Sequence, residues 1–199
     1  MATTFLLIRH ASHDYLGRAI AGWLAGVHIN ARGREEALRL AEGLAGERIE
    51  ALYSSPLDRT IDTAEILAHR LGLHIHMEEG FGEVRFGEWT GAAFEDLVRD
   101  PRWEAYNRFR SGTRPPGGEL LLEVQERAIR AMERIRGDHP EETVAVVSHG
   151  DVIKAVAMYY LGMPMDLLER FDVAPASVTE IEVGDWGARV IRLNAGRRV

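Results

Sequence analysis

The chain contains no cysteine. This excludes a disulfide framework, a thiolate zinc site, an iron–sulfur cluster and a cysteine nucleophile. Lysine is nearly missing too: Lys154 is the only one, and every other basic residue is arginine. Arginine forks suit bidentate contacts to oxyanions better than ammonium groups do. Long apolar runs are also missing. Phe5-Leu6-Leu7-Ile8 is cut short by Arg9, and no basic region precedes it. That is too short for a signal-peptide core or a membrane span, so the expected location is cytoplasmic, with no membrane contact. An excess of positive charge is lacking: the net charge is −7 and the pI about 5.6. A broad basic face for nucleic acid or anionic lipid is therefore not expected. The rest is ordinary. With 199 residues, 46% of them hydrophobic and 28% charged, the chain reads as one soluble domain over 1–199 with a core that needs no staple.

The hydrophobic pattern alternates between strands and helices. Phe5 to Ile8 suits a strand buried on both faces. Residues 11–31 carry little periodicity and read as a long loop. Asn30 can cap a helix whose apolar stripe is Ala37, Leu38, Ala41, Leu44 and Ala45, ending at Gly46. Ile49 to Tyr53 is a second short strand. Ser55 as cap and Pro56 as first helical residue predict a helix start, and Gly72 its end. Leu73 to Met77 is a third strand, and 80–91 a glycine-punctuated loop. Residues 92–112 read as short helices packed by Trp103, Tyr106 and Phe109. Pro115-Pro116-Gly117-Gly118 is a break before a long helix closing at Gly137. Thr143 to Val147 is the clearest buried strand, followed by a helix from about Asp151 to Leu161. Two more strands are expected near 177–183 and 188–193. The expected fold is therefore α/β: three layers, α/β/α, with a mainly parallel central sheet between helices and a small helical cap at about 85–115.

Chemistry collects where strands end, which is where such folds bind ligands. The first strand runs into Arg9-His10, the second into Ser54-Ser55-Pro56 with Arg59 soon after, and the late strand into Ser148-His149-Gly150. If these strands are parallel neighbours, two arginines, two histidines and two helix N-termini share one rim. Guanidinium forks and free helix N–H groups both favour phosphate oxygens. A neutral imidazole held among such positive charges can attack phosphorus, and the leaving alcohol then needs a general acid.

Arg9-His10-Ala11, Ser54-Ser55-Pro56-Leu57-Asp58-Arg59-Thr60 and Ser148-His149-Gly150 resemble the signature segments of the histidine phosphatase superfamily, also called phosphoglycerate-mutase-like. Glu83-Val84-Arg85-Phe86-Gly87-Glu88-Trp89-Thr90-Gly91 is similar to a fourth segment of that family, and Pro116-Gly117-Gly118-Glu119 to a fifth. The resemblance spans about residues 5–194. It implies a phosphomonoesterase acting on a small phosphorylated metabolite, with His10 as the phosphorylated nucleophile. Arg9, Arg59 and His149 would complete the phosphate pocket. Glu83, rather than Glu88, would be general acid and then general base. No metal or organic cofactor is implied.

Three departures from the family pattern stand out. Ala11 replaces a glycine, and its methyl is expected to narrow the approach to the phosphate. No asparagine comes soon after it, so Ser12 or His13 would substitute as phosphate ligands. Leu120 stands where a serine often succeeds Gly-Gly-Glu. The chain also lacks the basic insert of the mutases, which favours hydrolysis over mutase-type phosphoryl transfer. A non-catalytic phosphate-ester binding module is the remaining alternative. Loops at about 12–28 and 85–115 are expected to wall the pocket. Arg85, Arg99, Arg102, Arg108, Arg110 and Arg114 hint at a second anionic group on the substrate. Lys154 is expected on a helix surface. His28, His69, His74, His76 and His139 are expected to face solvent or bond backbone, without a metal. A homodimer stays open, with no specific feature pointing to it.

Overall fold

Residues Ala2–Arg9 form strand β1, and its apolar residues divide between two faces. Phe5 and Leu7 join one core cluster, Leu6 and Ile8 another. This is the period-two consequence of the pleat when both faces are covered. The protein is described by a computed structural model covering residues 1–196. The other strands are β2 (Ala51–Ser54), β3 (Ile75–Met77), β4 (Thr143–Ser148), β5 (Val178–Gly184) and β6 (Gly187–Ala195). They make one sheet in the order β3-β2-β4-β1-β5-β6. The first four strands of that order run parallel, and β5 and β6 are antiparallel additions at the far edge.

Helices α1 (Ala31–Leu44) and α2 (Asp58–Leu71) pack together over Leu6, Ile8, Leu52, Ala145 and Val147. The single turn α3 (Phe94–Leu97) and helix α4 (Pro101–Arg108) come from the segment expected to be short helices. Helices α5 (Leu121–Asp138) and α6 (Gly150–Leu161) pack together over Phe5, Leu7, Val144 and Val146. The sheet is thus sandwiched as the sequence predicts. Among the described residues, no helix is long and apolar enough to cross a membrane.

Some boundaries differ from expectation. Helix α2 does not start at Ser55-Pro56: Leu57 is the extended cap residue and Asp58 the first helical one. Ser55 is committed elsewhere. Its amide donates to the Val147 carbonyl, its own carbonyl accepts from Thr60 Oγ1, and its hydroxyl reaches His149. It therefore extends the sheet edge instead of capping. Helix α1 stops at Ala45 rather than Gly46, α5 continues through Gly137 to a cap at His139, and β3 is shorter than 73–77.

Register sets up the functional end. Arg9 pairs with Ser148, and Ser54 with Val147, so β1, β4 and β2 end side by side. The motif after each of these strands therefore arrives at one carboxyl edge of the sheet.

Candidate active site

His10 and His149 are almost fully buried, 2% and 0% exposed, with ring centroids 5.3 Å apart. The His10 backbone amide donates to the Ser148 carbonyl, which ties the two strand ends together. His10 Nδ1 lies 2.9 Å from the Ala11 carbonyl. A carbonyl only accepts, so Nδ1 carries the proton and Nε2 keeps its lone pair. Burial, then Arg59 and Arg9, hold the His10 pKa well below the usual imidazole value. The ring is neutral at physiological pH.

His149 has the opposite tautomer. Arg59 Nη2 donates to its Nδ1 at 3.1 Å, so Nε2 bears the proton and donates to Ser55 Oγ at 2.8 Å. Burial, Arg59 and His10 keep its pKa well below normal. Arg59 is 1% exposed and also donates to the Gly22 carbonyl. Arg9 donates to the Val173 carbonyl through Nη1. A Cβ on Gly150 would come within 3.3 Å of the Arg9 guanidinium, so glycine there lets the arginine lie across the start of α6.

Several buried donors have no partner among the described residues: Nε of Arg9, and Nε and Nη1 of Arg59. Nδ1 of His13 is likewise buried and unpaired among them. Buried guanidinium donors left unpaired are costly, and their natural complement is an oxyanion. His13 sits 5.0 Å from His10 between ring centroids. Its pKa is lowered to about 4 by burial, with Arg59 and Arg9 adding repulsion.

Glu83 completes the cluster. Its Oε2 lies 3.7 Å from His149 Nδ1 and 3.9 Å from Arg59 Nη2, while Oε1 accepts from the Val84 amide. Burial first, and then repulsion from Asp151, raise its pKa to about 7 against the pull of Arg59. The Glu83 backbone is anchored twice: its carbonyl accepts from Trp23 Nε1 at 2.6 Å and from Arg127 Nη2 at 2.9 Å. Arg127 is held in turn by Glu119 at 2.8 Å, and the Glu119 carboxylate also accepts from the Arg85 amide. The two loop motifs meet backbone to backbone. A Cβ on Gly87 would fall 2.1 Å from the Pro116 carbonyl oxygen, and one on Gly118 would fall 2.2 Å from that of Arg85. Only glycine permits that approach.

Arg9, His10, His13, Arg59 and Glu83 form one end of a cavity of about 500 Å³. His149, expected in the phosphate pocket, is outside the lining and fully buried, in contact with Arg59. The wall includes Leu16, Ile20 and Gly22 from the long loop, and Phe86, Phe94, Trp103, Asn107 and Arg110 from the second segment. Both segments were expected to contribute. A third stretch was not: Asp151, Lys154, Glu169, Asp172 and Val173 line the outer end.

Several expectations need revision. Lys154 is not on a helix surface; it is 7% exposed and faces the cavity. The signal was present, since the only lysine stands among Val152, Ile153, Ala155 and Val156 on a helix buried nearly all round. The Ala11 methyl does not narrow the cavity, because it packs with Ile29 and Ala37 in a separate apolar cluster. Ser12 is buried, with its amide donating to Glu36, and lies outside the cavity lining. Of the six arginines of 85–114, only Arg110 lines the cavity. Arg85 lies over Trp23 and pairs with Glu79, Arg102 pairs with Asp100, Arg114 pairs with Glu123, and Arg99 and Arg108 are exposed. Tyr106 is core, Trp103 reaches the cavity, and Phe109 is exposed. His28 pairs with Asp62; His69, His74 and His76 are exposed, His76 against Tyr53; and His139 bonds Tyr53 and Glu142.

The model of the histidine phosphatase superfamily, branch 1, matches residues 5–196. Phosphoserine phosphatase 1 of Hydrogenobacter thermophilus is 30% identical over 196 residues, covering 95% of this chain and 90% of that one. A glucosyl-3-phosphoglycerate phosphatase of Mycobacterium tuberculosis is 29% identical, covering 82% and 78%. Among solved structures, Bacillus stearothermophilus YhfR superposes with a TM-score of 0.92 at 29% identity, covering 98% of both chains. With the motifs gathered at one sheet edge and the match running almost end to end, the chain belongs to the histidine phosphatase superfamily, branch 1.

Proposed function

We propose that the chain is a phosphomonoesterase that works through a phosphohistidine on His10, with Glu83 as general acid and then general base. Hydrolysis of phosphoric monoesters is the class to which its family and its named phosphatase relatives point. One observation carries the mechanism. The His10 Nδ1–H bond to the Ala11 carbonyl leaves Nε2 as a neutral nucleophile in a cavity walled by unpaired guanidinium donors.

Phosphate oxygens are bound by the free donors of Arg9 and Arg59, which act electrostatically on the charge of the transferring group. His149 acts through Arg59: its Nδ1 accepts from Arg59 Nη2 and so fixes the guanidinium whose free donors hold the phosphate. His10 Nε2 attacks phosphorus, and the ester P–O bond breaks with its electron pair on the leaving oxygen. Glu83, held protonated near neutral pH by burial, gives that oxygen its proton. The resulting carboxylate then takes a proton from water as that water attacks phosphorus, and the P–N bond breaks to restore His10. The short helices of 85–115, which bring Phe94, Trp103 and Asn107 to the cavity, act as a cap over the leaving group. We place this reaction in the cytoplasm, on a small phosphorylated substrate.

Rapid quench during turnover of p-nitrophenyl phosphate tests the reading. The expected result is a phosphoenzyme that is labile in acid, stable in alkali, absent from His10→Ala, and formed in the presence of chelator. A turning-over enzyme that never carries phosphate on His10 would overturn it.

A further inference from the structure

Glu83 lies on neither a strand nor a helix. It follows the single turn Glu79–Phe81 and begins an irregular stretch, so contacts from elsewhere must hold it. One side chain of the long loop, Trp23, grips this stretch. Its Nε1 donates to the Glu83 carbonyl at 2.6 Å. The same edge of the indole lies against Gly82, where a Cβ would fall 2.5 Å from Trp23 Cζ2. Gly82 has φ −62°, which any residue adopts, so it is chiefly the indole that keeps a side chain out. The Arg85 guanidinium lies over the indole at 3.8 Å. Trp23 is half-buried and outside the cavity lining, so it acts on the segment and not on the cavity's contents. The residue before it holds a different reactive group. The Gly22 carbonyl accepts from Arg59 Nη2 at 2.9 Å. The loop is pinned close by: the Ile20 amide donates to the Ala92 carbonyl at 3.0 Å, and the Gly91 amide to the Ile20 carbonyl at 2.7 Å. Gly22 and Trp23 thus hold Arg59 and Glu83 respectively, whose Nη2 and Oε2 stand 3.9 Å apart.

We propose that Trp23 is a positioning residue for the general acid: together with Gly22 it sets the separation of the Arg59 guanidinium and the Glu83 carboxyl, and so aims the acid proton at the leaving oxygen. Arg59 fixes the phosphoryl group, and the leaving oxygen is one bond from phosphorus. Glu83 must therefore be placed relative to Arg59, and a misplacement of about 1 Å costs up to about 100-fold in rate. The bond from the Val84 amide to Glu83 Oε1 cannot do this, because it lies within the same segment and moves with it. Arg127 holds the Glu83 carbonyl from α5. Trp23 holds it from the loop that also holds Arg59, which links the two groups directly. This rests on the phosphomonoesterase reading and adds a positioning residue to it.

The test reads leaving-group dependence in the full-length protein. It compares phenyl phosphate, whose leaving oxygen needs a proton, with p-nitrophenyl phosphate, whose leaving oxygen needs it less, and uses inorganic phosphate as a competitive inhibitor. Trp23→Phe keeps an aromatic ring and loses the N–H. It is expected to lower kcat/KM at least about fivefold on phenyl phosphate and less than about twofold on p-nitrophenyl phosphate, with the Ki of phosphate unchanged within about twofold. Gly82→Ala pushes the indole edge off the segment and is expected to give the same split, which decides the matter should Trp23→Phe not fold. Gly82→Ala added to Trp23→Phe is expected to cost less than about twofold more, because the edge that the new methyl would strike is gone. Equal losses on the two esters, a loss carried by the Ki of phosphate, or losses that multiply in the double variant would overturn the inference. Glu83→Gln separates this failure from that of the reading beneath it. If Glu83→Gln shows the split and Trp23→Phe does not, only the positioning role falls. If Glu83→Gln treats both esters alike, the acid role falls with it.

Discussion

The two ends of the cavity are built on different principles. At the inner end, Arg9, His10, Arg59 and His149 lie at strand ends or helix starts; backbone carbonyls of Val173, Ala11 and Gly22 hold donors of the first three, and the Ser55 hydroxyl holds that of His149. At the outer end, Arg110 and Lys154 face side-chain carboxylates on a short 3-10 helix and a loop. Backbone anchoring tolerates no alternative arrangement without breaking the sheet edge. Side-chain ion pairs in partial solvent rearrange at little cost. One end is thus fixed by the sheet edge, and the other is free to adjust.

The largest effect should come from the rigid end. His10→Ala is expected to lower kcat by at least about 1,000-fold on every ester, because the proposed reaction passes through a covalent intermediate on His10. Steady-state kinetics on an aryl and an alkyl phosphate checks this; residual turnover of one ester but not the other would show that the inner end is not common to all substrates. Arg59→Met should come second at about 100- to 1,000-fold, since it removes oxyanion donors and the bond that sets the His149 tautomer. A loss confined to KM would contradict that role.

Glu83 comes next and carries a pH signature. In the proposed reaction its acid form protonates the leaving oxygen. With the pKa raised to about 7, kcat/KM on an alkyl phosphate should fall as pH rises above about 7. Glu83→Gln should remove that limb, and should cost more on alkyl than on aryl phosphates, whose leaving oxygen needs less help. The same group affects stability. A carboxyl with a folded pKa above its unfolded value near 4.5 supports the fold fully below pH 4.5, and that support is lost as pH rises through about 7. Glu83→Gln should therefore stabilise the protein at pH 8 relative to native by an amount on the order of 3 kcal/mol, and by little at pH 4. Paired denaturation curves at the two pH values measure it.

Arg127→Met acts one layer out, by loosening the Glu83 backbone, and is expected to lower kcat about tenfold or somewhat more with KM nearly unchanged. An equal loss in KM would mean it touches substrate instead. The smallest effect should come from salt. Raising ionic strength screens the solvated outer end more than the buried inner one. The kcat on p-nitrophenyl phosphate should change by less than about twofold between low and high salt, because the charges at the inner end are buried.

The same contrast separates the residues legible in the sequence from those that are not. Phe5 to Ile8 and Val144 to Val147 are continuous apolar runs, which strands buried on both faces must be. Arg9-His10 and Ser148-His149 come directly after them. Chain direction and strand burial then place those side chains at one edge. Ser55 reads as a helix cap because its local neighbours favour one, yet its distant partner His149 claims the hydroxyl. Lys154 reads as surface because a cation is ordinarily solvated, yet its burial depends on how α6 meets the segment carrying Glu169 and Asp172.

Composition and motif order determined the α/β layering and the family, because each rests on contiguous residues or on the one-dimensional alternation of strand and helix. Tertiary structure alone decided the tautomers of His10 and His149, the raised pKa of Glu83, and the meeting of Arg110 and Lys154 at Glu169. Those depend on burial and on distances between residues far apart in the chain, and neither quantity is written in any local stretch of it.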